Sequence, residues 1–360
     1  MPGERFGSGN TKNWEKIQWL GKDINDSNGK KIYRIVKEIG KGSYGQAFDA
    51  QHHLTGAQVV IKKMEKRRNP DVLAESEAKV ISLFQHENFP RVFGSYQNTY
   101  HWLLSLERVH GETSCDYIVN RGRPLSEPHT VMFILQLVDA IQHLNSKGVM
   151  HRDIHLGNVM IDNTQTVKLI DFGRAAKILP GGNPSGSMFN GQGAPEMFLS
   201  VRHSKEVDIF GIGFIAYILL TEWPPFDLHP KTRDIARKNM QDGPKTQIPP
   251  WNALSSDAKD LLQKLLEYSP VKRITLAGIL QHPFITKNRA AALRIRPPIS
   301  NEKKQQYLNS TPNADLIKGV KLFFPSMSDE EIRKTVANAV PGRPLEIYKI
   351  AEALALYRMR

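Results

Sequence analysis

Apolar and polar residues alternate along residues 33–63, around a cluster of glycines. A period of two residues places successive side chains on opposite faces of a strand, so this pattern predicts antiparallel strands. The segment HWLLSLE at 101–107 predicts a further, buried strand. The first part of the chain is therefore expected to be rich in β-sheet.

Helical spacing dominates the rest of the chain. Residues 71–84 have a helical pattern, and apolar residues recur every three or four positions from 131 to 141, which predicts an amphipathic helix with Ser126 as its N-cap. Residues 195–285 are mostly helical in pattern. Strands first and helices later indicate an α+β fold, with a small sheet-rich lobe and a larger helical lobe.

Composition changes suggest four segments. We predict a polar leader at 1–32, one large domain at 33–285, a linker at 286–312 and a small helical segment at 313–360. The longest apolar run, residues 211–220, is shorter than the roughly 20 residues that span a bilayer, so it predicts a buried helix and not a transmembrane segment.

Charge and cysteine content bear on the partners and the cellular compartment of the protein. The 360 residues carry a net charge of +13, and residues 287–360 hold 14 Lys and Arg against 7 Asp and Glu. Such a tail is more typical of a solvated surface than of a nucleic-acid site, so we expect no nucleic-acid partner. Cys115 is the single cysteine, which favours a reducing compartment, the cytoplasm first and the nucleus as the alternative.

Three glycines suggest a phosphate-binding loop. Gly40, Gly42 and Gly45 lie between two predicted strands, and glycines let backbone amides approach phosphate oxygens without a Cβ in the way. A plain tight turn is the alternative interpretation. Because a strand, not a helix, follows the loop, the pattern argues against a dinucleotide-binding fold.

A lysine at the end of an apolar strand is a second candidate. The strand VVIKK carries Lys62 toward the interior, whereas Lys63 faces the opposite side and is expected to lie in water. On the following helix Glu77 could pair with Lys62, with Glu75 as the alternative. A solvated helix face is the other explanation for these glutamates.

The strongest chemical signal is HRDIHLGNVMID followed by VKLIDFG. Magnesium prefers oxygen ligands, which Asn158 and Asp171 can supply. Asp153 can accept a proton from a hydroxyl group or orient it. Each residue alone is more often a cap or turn residue, but their joint arrangement indicates a catalytic site.

These motifs together resemble the eukaryotic-type protein kinase family from Tyr33 to Ile285. The matching stretches, in order, are GKGSYGQA, VVIK, HRDIHLGN, DFG, APE, DIFGIG, SPVKRIT and QHPF. The resemblance implies a bilobal kinase fold that binds ATP and Mg²⁺ and transfers the γ-phosphoryl group to serine or threonine hydroxyls of proteins. The late motifs argue against the alternative of a small-molecule kinase.

The resemblance also implies a role for each matched residue. Lys62 would hold the ATP phosphates and pair with Glu77, Asn158 and Asp171 would bind magnesium, and Asp153 would be the catalytic base. The remaining roles belong to the hinge and its surroundings: Glu107 to Val109 would bind adenine behind Leu106, Glu112 would reach the ribose or a basic substrate residue, and His151 would be structural.

Two positions depart from the serine/threonine pattern. His155 stands two residues after the catalytic aspartate, where lysine is usual, and Phe189 stands where threonine is usual. These departures leave open a different acceptor specificity, or a pseudokinase that binds ATP as a scaffold. In similar kinases the arginine at the position of Arg152 can grip a phosphate on the activation segment, where Ser185 and Ser187 are the hydroxyl residues. An activation segment held by backbone contacts alone is the alternative, which we slightly favour.

The last segment predicts three short helices within residues 313–358. Ser328 and Glu331 form a capping-box pattern at the second helix. The order of helices is similar to ubiquitin-binding domains of the CUE and UBA type. That resemblance implies ubiquitin as a partner, bound by Phe324–Pro325 and by the region of Leu354 and Leu356, with packing on the kinase lobe or another protein as the alternative.

Overall fold

The structure is a computed structural model. It describes residues 21, 23–25, 29, 31–42, 45–66, 86–97, 100–183, 193–198, 202–227, 232–296, 317, 320–321 and 327–337. The chain divides into two compact units: the first comprises residues 1–85, 90–108 and 299–360, and the second residues 86–89 and 109–298.

The first unit contains a six-stranded antiparallel sheet in the order β1-β2-β3-β4-β6-β5. Its strands are β1 Asp23–Asn25, β2 Lys31–Gly42, β3 Gly45–His52, β4 Gln58–Glu65, β5 Val92–Gln97 and β6 His101–Glu107. One face buries a core that includes Tyr33, Ile35, Phe48, Val59 and Ile61. The strands predicted from alternation, including 101–107, are confirmed.

Two details of this sheet differ from prediction. Strand β1 lies inside the predicted polar leader and is defined by pairing, with Asp23 opposite Arg34. The expectation that Lys63 lies in water is wrong, since only 6% of the residue is exposed. Burial lowers its pKa, an effect that Glu65 and Glu38 partly oppose.

The second unit is mainly helical. Its helices are α1 Ser114–Arg121, α2 Glu127–Ser146, α3 Pro195–Phe198, α4 Glu206–Thr221, α5 Arg233–Gln241, α6 Pro249–Ala253, α7 Ser256–Leu265, α8 Leu276–Gln281 and α9 Pro283–Ile295. Its short strands are β7 Gly111–Thr113, β8 Val149–Met150, β9 Val159–Asp162, β10 Val167–Leu169 and β11 Ala176–Lys177. Strands pair in the orders β10-β9-β7 and β11-β8.

The two longest predicted helices of this unit are confirmed. Helix α2 begins after Ser126 as expected, although the Ser126 hydroxyl contacts the His129 ring at 3.0 Å and not a helix amide. Helix α4 is buried along almost its whole length. Helix α9 extends past residue 285, so the first part of the predicted linker is helical. No helix in the described part of the chain has the length and apolar character that crossing a bilayer requires.

Part of the C-terminal segment is described within the first unit. Helix α10, Asp329–Ala337, begins with the predicted capping box: the Glu331 carboxylate accepts from the Ser328 amide at 2.7 Å, and the Ser328 hydroxyl accepts from the Glu331 amide at 3.2 Å. Ile332 is buried together with Ile317 and Val320, and Leu54 from the β3–β4 turn packs against this cluster.

Candidate active site

The loop that carries Asp153 is anchored by a buried carboxylate. Asp208, in the first turn of α4, accepts hydrogen bonds from the backbone amides of His151 at 2.8 Å and Arg152 at 2.7 Å. Arg152 has a left-handed backbone with φ of 68°, which is uncommon for a residue with a side chain. The two hydrogen bonds hold this backbone conformation and thereby fix the backbone position of the next residue, Asp153.

Three side chains surround the Asp153 carboxylate. Asn158 donates to its Oδ2 at 3.0 Å and to its backbone carbonyl at 3.0 Å. Arg174 Nη1 lies 3.3 Å from Oδ1, and His155 Nε2 lies 3.8 Å from Oδ2. The carboxylate is therefore held on both oxygens, and its orientation is set before any substrate arrives.

The same contacts determine the charge of Asp153. Burial alone would raise its pKa, but the contact with His155 and the positive charge of Arg174 hold the pKa below its usual value. The carboxylate is consequently ionised at neutral pH. It can accept a hydrogen bond from a hydroxyl group, orient that group and take up its proton.

Asn158 and Asp171 are the residues that could hold a magnesium ion. The backbone amide of Ile170 donates to the Asn158 carbonyl at 2.8 Å, which brings the Asp171 strand end beside Asn158. Because the Asn158 amide nitrogen is used by Asp153, its side-chain oxygen is directed elsewhere and is available as a ligand. Asp171 adopts φ of 63°. Two oxygen ligands with the rest supplied by water and phosphate suit Mg²⁺.

His151 packs beneath the loop that carries Asp153, in the interior of the second unit. It is fully buried, its ring centroid lies 4.9 Å from that of Phe172, and its Nδ1 accepts from the Asp153 amide at 3.3 Å. Burial lowers its pKa to about 4, so the ring is neutral. These contacts suit the predicted structural role.

The glycine loop belongs to the first unit. Gly42 pairs with Gly45 across β2 and β3, and the two residues between them lie outside the described residues. A Cβ on Gly45 would lie 2.0 Å from the Lys63 carbonyl oxygen, so packing itself requires glycine there. At Gly40 a Cβ would meet no described atom within 4 Å, so packing does not explain this glycine. The open space at Gly40 suits the approach of a phosphate group.

Lys62 is half-buried in β4, opposite Ala47 and Leu104. Its predicted partner Glu77, and the alternative Glu75, lie outside the described residues, so their pairing stays a prediction. Phe189, Ser185 and Ser187 also lie outside them.

The predicted hinge is divided between the two units. In the first unit, the Glu107 carboxylate accepts from the Arg91 amide at 3.0 Å, and Leu106 lies beside it in β6. In the second unit, Val109 is buried. The Glu112 carboxylate accepts from the Asn120 side chain at 2.6 Å, so it is engaged within its own unit.

Arg174 is a site residue that the sequence did not reveal. It directly follows the DFG motif but contacts Asp153, 21 positions earlier, through tertiary structure alone. Its backbone carbonyl accepts from Arg152 Nε at 2.6 Å. A positive residue next to a metal-binding motif was the available signal.

The matched motifs APE and SPVKRIT meet in a buried ion pair. Arg273 donates to the two carboxylate oxygens of Glu196 at 2.7 and 3.1 Å, with side-chain exposures of 0% and 3%. This paired geometry attaches the end of the activation segment to the helical unit.

Comparison with known proteins agrees with this geometry. Residues 33–285 match the family described as "Protein kinase domain", and the chain belongs to that family. The family and enzyme class predicted from the sequence are thereby confirmed, as is the α+β kinase fold.

Several kinases are similar to the chain. It is 26% identical over 299 residues to "Serine/threonine-protein kinase PLK4" of Nematostella vectensis, covering 81% of this chain and 29% of the relative. It is 32% identical over 271 residues to "Calcium-dependent protein kinase 12" of Arabidopsis thaliana, covering 72% and 54%. "Serine/threonine-protein kinase DCLK3" of Homo sapiens is 30% identical over 271 residues, with 72% and 41% covered. The chain thus spans about half or less of the length of these relatives.

Proposed function

We propose that the chain is a protein kinase that uses ATP and Mg²⁺ to phosphorylate serine or threonine residues of other proteins. The observation that carries this proposal is the Asp153 carboxylate, ionised and held on both oxygens by Asn158 and Arg174. A scaffold that only binds nucleotide has no need of an oriented proton acceptor. The serine/threonine assignment is supported by the names of two similar kinases, PLK4 and DCLK3.

Each unit supplies a separate part of the proposed chemistry. In the first unit, Lys62 and the glycines at 40, 42 and 45 are proposed to hold phosphate oxygens. In the second unit, Asn158 and Asp171 would hold Mg²⁺, which when bound neutralises charge on the phosphates. Asp153 accepts the hydroxyl hydrogen bond, orients the hydroxyl oxygen toward phosphorus and receives its proton. The backbone of Glu107 and Val109 would bind adenine.

Transfer of radiolabelled phosphate from ATP to a peptide array, followed by phosphoamino-acid analysis, tests the proposal. Phosphoserine or phosphothreonine that depends on Mg²⁺ is the expected product. Label on tyrosine would reject the acceptor class, and nucleotide binding without any transfer would favour the pseudokinase alternative.

The C-terminal segment has two candidate roles. Its described part packs against Leu54 of the first unit, which favours docking on the kinase domain. The residues through which ubiquitin would bind lie outside the described residues, so ubiquitin binding is kept as the second candidate. Titration of ¹⁵N-labelled ubiquitin with the full chain separates them, because chemical-shift changes are expected only for the second.

We also propose a cytoplasmic location, on the strength of the single cysteine. Cell fractionation tests this location.

A further inference from the structure

Position 155 lacks the lysine that usually accompanies a catalytic aspartate of this type. Nδ1 of the His155 ring accepts a hydrogen bond from the Gly157 amide at 3.1 Å, and Nε2 lies on the side of Asp153. The 3.8 Å separation from Oδ2 exceeds a hydrogen bond. A histidine side chain does not have the fixed charge of a lysine. A fixed positive charge beside Asp153 must therefore come from another residue.

Arg174 places a permanent positive charge on the other side of the carboxylate. Its guanidinium contacts Oδ1 at 3.3 Å, with side-chain exposures of 19% for Arg174 and 15% for Asp153. Guanidinium groups stay protonated in proteins. Partial burial reduces screening by water, so the interaction is stronger than that of a surface pair.

The space that both residues face is suited to an acceptor group. Asp153, His155 and Arg174 line a cavity of about 20 Å³ together with Gly193 and Ala194. A volume of this size admits about one water-sized group, such as a hydroxyl. Arg174 is thus beside the place where an acceptor hydroxyl would meet the carboxylate.

We propose that Arg174 is a positioning residue that provides the fixed positive charge missing at position 155. It orients Asp153 and balances negative charge near the acceptor hydroxyl during transfer. In that step the hydroxyl oxygen forms a bond to the γ-phosphorus, the bond from phosphorus to the leaving oxygen of ADP breaks, and the hydroxyl proton passes to Asp153. ADP retains the electron pair of the broken bond, and Arg174 stays protonated throughout. This inference rests on the proposed kinase activity.

One anchoring contact of Arg174 is made by its backbone and not by its side chain. The bond from Arg152 ends on the Arg174 backbone carbonyl, which side-chain truncation leaves in place. Arg174→Ala therefore removes the charge and keeps this anchor. Arg237→Ala is a matched control, because Arg237 lies in an exposed pair with Asp234.

The decisive experiment is rescue by a lysine at position 155. We expect Arg174→Ala to lower kcat by about 10²–10³-fold, the usual effect of removing one preorganised donor. The affinity for ATP should change by less than about threefold, since the charge acts at the acceptor end. Adding His155→Lys to Arg174→Ala should restore kcat at least about tenfold, which a structural role would not produce. Arg174→Met, which keeps the apolar stem, serves if the alanine variant does not fold.

Thermal unfolding of the chain without nucleotide gives a readout that is independent of catalysis. Arg174→Ala should lower Tm by about 2 °C more in the wild-type background than in Asp153→Asn, because the ion pair exists only in the former. A wild-type kcat for Arg174→Ala, failure of the lysine rescue, or additive Tm shifts would each overturn the inference while leaving kinase activity standing. A wild-type chain that transfers no phosphate would overturn the proposed function and this inference with it.

Discussion

At the residue scale, Asp153 has an environment that favours the ionised carboxylate. Burial opposes ionisation, yet His155 and Arg174 more than offset that effect and lower the pKa. A carboxylate that is always ionised near neutrality is a good hydrogen-bond acceptor but a weak base. In the proposed reaction its main contribution would therefore be to orient the hydroxyl group.

Replacement of Asp153 by Asn tests this assignment. Asparagine preserves size and one acceptor oxygen but removes the charge, so we expect phosphate transfer to fall by about 10²–10⁴-fold with ATP affinity retained. Steady-state kinetics and nucleotide titration measure the two effects. Asp257→Asn, at a surface pair with Lys287, is the control. A rate equal to that of the wild type would show that Asp153 is not the acceptor.

Two glycines of one loop should respond differently to the same change. Gly45→Ala places a Cβ against the Lys63 carbonyl, so the strands must separate, and we expect about 1–3 kcal/mol lower stability. Gly40→Ala meets open space and should leave stability unchanged but weaken ATP binding, because the new methyl group occupies the space proposed for phosphate. Urea unfolding and nucleotide titration separate these outcomes. Equal ATP affinity for Gly40→Ala and the wild type would contradict the phosphate-binding role.

Lys63 shows where reasoning from local pattern fails. Alternation correctly places Lys62 and Lys63 on opposite faces of β4, but burial depends on what covers each face. His101, from the paired strand β6, is itself buried, and its pKa falls to about 4 through burial and the charge of Lys63. No pattern within one strand reveals a neighbour that is supplied by another.

At the element scale, the alternating strands and the long periodic helices of the described residues were predicted correctly, and some element boundaries and very short elements were not. Helix α2 extends over 20 residues with a repeating apolar face, so the pattern alone identifies it. Strand β1 has three residues and exists through its ladder with β2. Helix α9 begins inside the last family motif, QHPF, and continues to Ile295, and Pro283 at its first position was the available signal.

The buried pair of Arg273 and Glu196 is expected to be the most sensitive link between these elements. Arg273→Ala leaves the Glu196 carboxylate buried without its partner, which should lower the free energy of unfolding by about 3–5 kcal/mol. Lys264→Ala, which breaks an exposed pair with Asp260, should cost only about 0.3–0.5 kcal/mol. Urea denaturation monitored by circular dichroism compares them. A similar loss of unfolding free energy in both variants would mean that burial does not make the Arg273–Glu196 pair more important for stability than an exposed pair.

At the scale of the whole molecule, the kinase motifs could be identified because each is contiguous in sequence. Tertiary contacts then join motifs that are distant in sequence: Asp208 anchors the HRD motif, and Arg273 pairs with Glu196 of the APE motif. Each motif can be recognised in the sequence without knowledge of these contacts. Arg174 could not be identified in this way, since its role depends on the distance to Asp153 and not on spacing. The C-terminal segment has the same limitation, because its partner Leu54 lies more than 260 positions away.

That contact gives the last prediction. Helix α10 has nine residues, and helices this short are marginal unless they are packed, so burial of Ile332 with Ile317, Val320 and Leu54 is expected to hold it in place. Leu54→Asp puts a charge against this apolar cluster and should accelerate amide hydrogen exchange in residues 329–337 by about tenfold or more. Val271→Asp, at an exposed site in the second unit, is the control and should leave exchange in α10 unchanged. Unaltered exchange in the Leu54 variant would mean that the segment folds without support from the β3–β4 turn.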